Sequence, residues 1–172
     1  MAKKKISLRE FQEGLVQRLT SARAGQSSRA LLGLRAGRDY WLLDLADSGE
    51  IVPLPPLTGV PLTKPWFCGM ANIRGTLYSV VDFSAFQGGE ATPQNADSRL
   101  LIVGARFGIN CALLVNRTLG LRNLEQMQPR AAAGDLRPWV GEQYVDAEGN
   151  VWKLLNLKNL LGQTDFLEIG LS

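Results

Sequence analysis

Few side chains in this sequence could do chemistry. The chain has no histidine, which removes the commonest general base and the commonest metal ligand. Its two cysteines, Cys68 and Cys111, stand far apart among apolar or small neighbours without Cys-x-x-Cys spacing, and read as buried reduced thiols. No Gly-x-x-x-x-Gly-Lys-Ser/Thr loop or Gly-x-Gly-x-x-Gly fingerprint offers a phosphate cradle. Carboxylates remain: Asp44, Glu50 and Asp82 fall on predicted strands, where two of them could form an acid/base pair. An acid at a strand end serves far more often as a turn or cap acceptor, so an enzyme is the least favoured reading. No cofactor, metal ion or small-molecule substrate is expected.

The most informative polar residue is Arg74, within Pro65-Trp-Phe-Cys-Gly-Met-Ala-Asn-Ile-Arg-Gly-Thr-Leu-Tyr-Ser-Val-Val-Asp82. Between Ile73 and Gly75 it should be partly buried or held at a strand end, and a buried guanidinium demands an acid partner. Glu50 and Asp82 are the strand-borne acids available. Gly69 and Gly75 are expected to give backbone freedom at strand ends, Asn72 to satisfy local backbone groups, and Asp82 to act as a cap.

These residues need elements to position them. The 172 residues, 45% apolar, suffice for one domain or two small ones with a real core. Residues 7–22 predict an amphipathic helix. Ser7 and Glu10 form a capping box, and Leu8, Phe11, Leu15, Val16 and Leu19 share one face. Beyond a linker at 25–28, short runs of β type follow at 30–35, 40–45, 50–54, 72–74, 77–82, 100–105, 111–116, 120–124 and 151–156. Between most of them lie the Gly, Asn or Asp that tight turns require. Prolines at 53, 55, 56, 61 and 65 break the path to Trp66 into an irregular connection. The polar stretch 87–98 is the best internal boundary, and 157–162 closes the chain as a short helix stopped by Gly162. Many short strands with few helices point to small barrels or a sandwich.

Charge is split along the chain. Residues 1–38 carry nine basic and two acidic side chains, +7, while the rest carry ten basic and fourteen acidic, −4. Lys3 to Lys5 could touch nucleic acid, but the body is acidic and no aromatic residues interleave with basic ones as a stacking platform needs. A nucleic-acid-binding β-barrel module is therefore a rival reading only. No stretch approaches the roughly 20 apolar residues of a membrane span, and the start lacks the apolar run of a secretory signal. A cytoplasmic chain without membrane insertion is expected.

Gly69-Met-Ala-Asn-Ile-Arg-Gly75 followed by Val80-Val-Asp82 resembles the Gly-x-x-Asn-Leu/Ile-Arg-Gly then Val-x-Asp-Leu signature of the CheW family of chemotaxis coupling proteins. Residues 37–51, 99–115, Leu124-Glu-Gln-Met-Gln-Pro129 and Leu154-Leu-Asn-Leu-Lys-Asn-Leu-Leu161 resemble further parts of that family. The resemblance implies a mainly β fold of two five-stranded SH3-like barrels. The layout would be an N-terminal helix and linker at 1–28 and a CheW-like domain at 29–165. That domain divides into a first barrel at 29–86, a polar connection at 87–98, a second barrel at 99–156 and a closing helix at 157–162, with a tail at 166–172. It also implies a non-catalytic scaffold that couples a methyl-accepting chemoreceptor to a CheA-type histidine kinase, reaching polar or membrane-associated arrays through those partners. Glu50 and Arg74 match the family's strand glutamate and signature arginine, implied to pair beside a receptor-binding groove. Ile73, Leu77, Val52 and Leu54 are candidates to line it, although the same residues could be plain core. Lys64-Pro-Trp-Phe-Cys-Gly69 and the tail Asp165-Phe-Leu-Glu-Ile-Gly170 resemble the branch of the family that serves twitching motility by type IV pili. A flagellar-type coupling protein is the alternative within the family.

Overall fold

From Ala30 onward, apolar residues alternate over short stretches bounded by turn formers, and each stretch forms a strand. The computed structural model describes residues 30–131 and 134–171; the helix expected at 7–22 and the Lys3 to Lys5 run lie outside them. The strands are β1 (Ala30–Ala36), β2 (Asp39–Asp44), β3 (Ser48–Pro53), β4 (Phe67–Ile73), β5 (Thr76–Asp82) and β6 (Arg99–Val103). There follow β7 (Cys111–Val115), β8 (Arg117–Asn123), β9 (Gln128–Arg130), β10 (Val140–Val145) and β11 (Val151–Leu155). Three short α-helices, α1 (Phe83–Phe86), α2 (Leu157–Leu161) and α3 (Thr164–Leu167), and two 3-10 turns at Ala105–Phe107 and Leu124–Gln126 complete the described elements.

The strands form two sheets, in the orders β8-β1-β2-β11-β10-β9 and β3-β6-β7-β5-β4. Neighbours are antiparallel except β2 with β11 and β5 with β7, which run parallel. The fold is mainly β, as expected, but its sheets have six and five strands and do not follow chain order. The opening hairpin β1–β2 joins β8 to β11, while β3 to β5 join β6 and β7. The stretch 87–98 therefore does not separate one sheet from the other. It is pinned instead: the Thr92 amide donates to Asp82 Oδ2 at 2.7 Å, and the Thr92 hydroxyl donates to Oδ1 at 2.6 Å.

Alternation decides which face each residue serves. Leu32, Leu34, Trp41 and Leu43 of the six-stranded sheet meet Phe67, Val81, Leu101, Val103 and Leu113 of the other in the principal core. Leu157, Leu160 and Phe166 of the closing helices join the same cluster. The opposite faces hold smaller cores, with Val80, Leu100, Ala112 and Leu114 on the five-stranded sheet and Leu31, Leu42, Tyr144 and Trp152 on the six-stranded one. With both faces covered, a strand such as β7 is buried throughout and reads as an unbroken apolar run.

Helix α2 begins where Asn156 accepts from the Asn159 amide at 2.9 Å and ends at Gly162, as the sequence suggests. The segment from 53 to 66 is irregular, tied by Thr58 and Met70, whose amides and carbonyls exchange bonds of 2.9 and 2.8 Å. The last residues are an integral part of the fold. Lys64 N donates to Ile169 O and Leu171 N to Leu62 O, both at 2.8 Å, so the tail lies against the proline-rich connection.

Candidate functional site

Hairpin β4–β5 turns in two residues, Arg74 and Gly75, between the paired Ile73 and Thr76. Both turn residues have positive φ, 54° and 86°, which is the signature of the type I′ turn that matches strand twist. Asn, Asp or Gly is preferred at the first position because an L side chain with a Cβ is strained there. This sequence places arginine there. Asn72 supports the turn by accepting from the Gly75 amide at 2.9 Å.

Arg74 pairs with Glu50 of β3 at 2.6 Å, joining the two outer strands of the five-stranded sheet. The pairing expected from sequence is present, but the burial is not. The Arg74 side chain is 77% exposed and Glu50 38%, so water screens the charge that a buried guanidinium would have needed an acid to offset. An exposed pair contributes about 0–1 kcal/mol, and the left-handed arginine costs about 1 kcal/mol or more. On stability alone, arginine is a poor choice at this position.

The pair rims a groove of about 440 Å³ lined by Ile73, Thr76 and Tyr78 of the β4–β5 hairpin and by Gly49, Ile102, Val103 and Ile109. The structure brings together Glu50, Arg74 and Ile73. Val52 and Leu54 do not line the groove and pack, partly buried, on the Leu100–Leu114 cluster, which Ile73 also touches. Leu77, 55% exposed, pairs in register with Asn72, whereas Ile73 pairs with Thr76; alternation sends Leu77 to the opposite face, away from the groove. Asp82, buried at the far end of β5, caps α1 by accepting from the Ala85 amide at 3.2 Å, and so acts as the cap its position suggests. Gly69 has φ 118°, and a Cβ there would sit 2.3 Å from the Thr58 carbonyl oxygen; close backbone approach makes glycine necessary. The far wall, from the β6–β7 connection, was not foreseen, since nothing local in Ala105 to Asn110 marks it except its turn-forming Gly108.

A second polar cluster also escapes the sequence. Arg137 reaches Asp135 at 2.7 Å, Asp39 at 3.3 Å and Gln87 Oε1 at 2.6 Å, with its guanidinium over Trp41. Lys153 closes the set on Asp39 at 3.1 Å. The hydrogen bonds from Arg137 hold the Asp135 carboxyl down to about 2. These ties join β2, β11 and the end of α1 at the rim of the principal core, a structural role. Both cysteines are free; burial pushes the Cys111 thiol up to about 12 and Cys68 to about 11, leaving them poor nucleophiles. Among the described residues, no three His, Cys, Asp or Glu side chains gather as a metal set, and no helix is long and apolar enough to cross a membrane.

The resemblance carried by Gly69 to Asp82 implied a mainly β fold and a pair between Glu50 and Arg74, and the structure has both. The model of the CheW-like domain matches residues 30–165, and the chain belongs to this family of coupling domains. Among characterised relatives it is similar to Protein PilI of Pseudomonas aeruginosa, 30% identical over 115 residues, a match spanning 63% of each chain. The crystal structure of scaffolding protein TtCheW from Thermoanaerobacter tengcongensis superposes with a TM-score of 0.68 at 20% identity, covering 83% of this chain and 98% of that one. That likeness bears on the fold.

Proposed function

We propose that this chain is a non-catalytic scaffold that couples a methyl-accepting chemoreceptor to a CheA-type histidine kinase in a chemosensory pathway controlling type IV pilus twitching motility. The observation that carries the reading is the exposed Arg74–Glu50 pair on the rim of an apolar-walled groove, within a chain of the CheW family. A receptor tip is a helical bundle. Such a helix binds by laying an apolar face in a groove while a few polar anchors set its register. Ile73 and Ile109 offer the apolar contacts, and Arg74 with Glu50 offers a charged anchor that a carboxylate or amide on the helix could share. The turn strain described above supports this, because a side chain held in an unfavourable backbone conformation points to a role other than stability. Similarity to PilI supports the pilus pathway over a flagellar one.

The test is reconstitution of the full-length chain with purified kinase and membranes containing receptor. The kinase should sediment with the membranes only when the chain is present. Sedimentation that is unchanged without it would contradict the scaffold role, and binding of nucleic acid in place of the kinase would favour the rival module.

A further inference from the structure

Strands β1 and β8 bring two arginines face to face. Arg35 and Arg117 are partners in the antiparallel register, so their side chains leave the sheet on the same face with Cβ atoms about 5 Å apart. Like charges set directly opposite each other destabilise a strand pair. Among the described residues neither guanidinium forms an ion pair, and Arg35 spends only its Nε, which donates to Gly37 O at 3.2 Å. Both arginines line a small pocket of about 160 Å³ together with Pro93, Asn95, Asp97 and Asn116. The two asparagines are fixed in orientation. Asn116 Oδ1 accepts from the Gly37 amide at 2.8 Å and Asn95 Oδ1 from the Asp97 amide at 2.9 Å, which leaves each side-chain NH2 as a donor.

We propose that Arg35 and Arg117, with the side-chain amides of Asn95 and Asn116, bind a phosphate monoester. Guanidinium forks match phosphate oxygens in pairs. Two forks and two amides supply more donors than the two oxygens of a carboxylate accommodate, whereas a phosphate monoester presents three strong acceptor oxygens and up to two negative charges. Size selects the group as well. A pocket of about 160 Å³ falls short of the roughly 300 Å³ or more that whole small-molecule ligands fill, so the phosphoryl group enters and whatever carries it stays outside. Arg35 is held in place for this, by its bond to Gly37 O and by its own carbonyl, which accepts from the Asn116 amide at 2.9 Å. Asp97 is the counterweight: its carboxylate lines the same pocket and opposes an entering anion, but it stands on an exposed turn and can swing to solvent. The site lies on the six-stranded sheet, apart from the Arg74–Glu50 groove, and does not depend on the coupling role.

Magnetic resonance of the isotope-labelled full-length chain, titrated with inorganic phosphate at constant ionic strength, tests this. The Nε–H signals of Arg35 and Arg117 should move together and saturate, and sodium acetate at the same ionic strength should move them far less. Arg117→Gln should weaken phosphate binding about 10-fold. In phosphate-free buffer its Tm should stay level or rise, because the opposed like charges are gone. Arg35→Gln should weaken binding likewise, and Asp97→Asn should tighten it. A short phosphoserine peptide that binds more tightly than inorganic phosphate would place the group on a protein partner, and one that binds no more tightly would place it on a small phosphorylated molecule; both uphold the site. Signals that drift without saturating, an equal response to acetate, or phosphate binding that survives both arginine variants would overturn the proposal.

Discussion

Replacing Arg74 by Asn should separate recognition from folding at the hairpin turn. Arg74 holds φ 54° at the first position of a type I′ turn, and asparagine tolerates that conformation far better. Relief of strain contributes about 1 kcal/mol in favour of the variant, and loss of the screened Glu50 pair takes back about 0–1 kcal/mol. The net change lies between roughly zero and 1 kcal/mol of stabilisation, a Tm shift of about 0–4 °C upward for a chain of this size. Binding should move the other way. Losing a charged anchor at an interface costs about 2 kcal/mol, which is roughly a 30-fold rise in Kd for the receptor tip. Calorimetry of melting and titration of the same preparation with a receptor cytoplasmic fragment read both effects. A fall in Tm of more than about 5 °C would show that Arg74 fixes barrel closure. An unchanged Kd at unchanged Tm would remove it from the site.

Further expectations follow from the same geometry. Gly69→Ala should destabilise by about 3 kcal/mol or more, visible in denaturant unfolding, because its Cβ would meet the Thr58 carbonyl at 2.3 Å; a loss below about 1 kcal/mol would refute the close approach. Asp135 titrates in the folded protein at about 2, below its ordinary 3.8, so its stabilisation is complete above that ordinary value and lost as pH falls towards 2. Asp135→Asn should therefore flatten the decline of Tm between about pH 4 and pH 2, and an unaltered acid limb would contradict the Arg137 clamp. Native chain should react slowly with a thiol reagent at pH 8, Cys68 ahead of the more buried Cys111, and rapidly once unfolded. Fast native labelling of Cys111 would refute its placement in the core.

The parts of this fold that local chemistry dictates were readable. The turn at Gly37-Arg38, the turn glycine Gly75 and the cap at Asp82 lie where their residue types place them, whereas Arg74 does not. Strand β10 was missed because Val140-Gly-Glu-Gln-Tyr-Val145 breaks the alternation at a bulge and buries a glutamine. β9 was missed because it is three exposed residues around a proline. The interleaving of the sheets rests on pairings such as β2 with β11, where Lys153 meets Asp39 across 114 residues of chain. No local pattern encodes such a contact. The site shows the same division. The Glu50–Arg74 pair follows the motif, whereas Leu77 faces away from the groove that the pair rims because a two-residue turn sets which neighbours share a side. The exposure of Arg74 could not be read from its apolar neighbours in sequence, since a two-residue turn projects its side chain outward whatever the strands on either side bury.

The proposed role of this chain is to join a receptor to a kinase. Affinity purification of the tagged full-length chain from its own cells, with the captured proteins identified by mass spectrometry, tests it most directly. One CheA-type histidine kinase and one methyl-accepting receptor of the pilus pathway should come down together with the native chain, and Arg74→Asn should lose the receptor. Recovery of neither protein with a correctly folded chain would contradict it, and recovery of a flagellar receptor would move the chain to the other branch of its family.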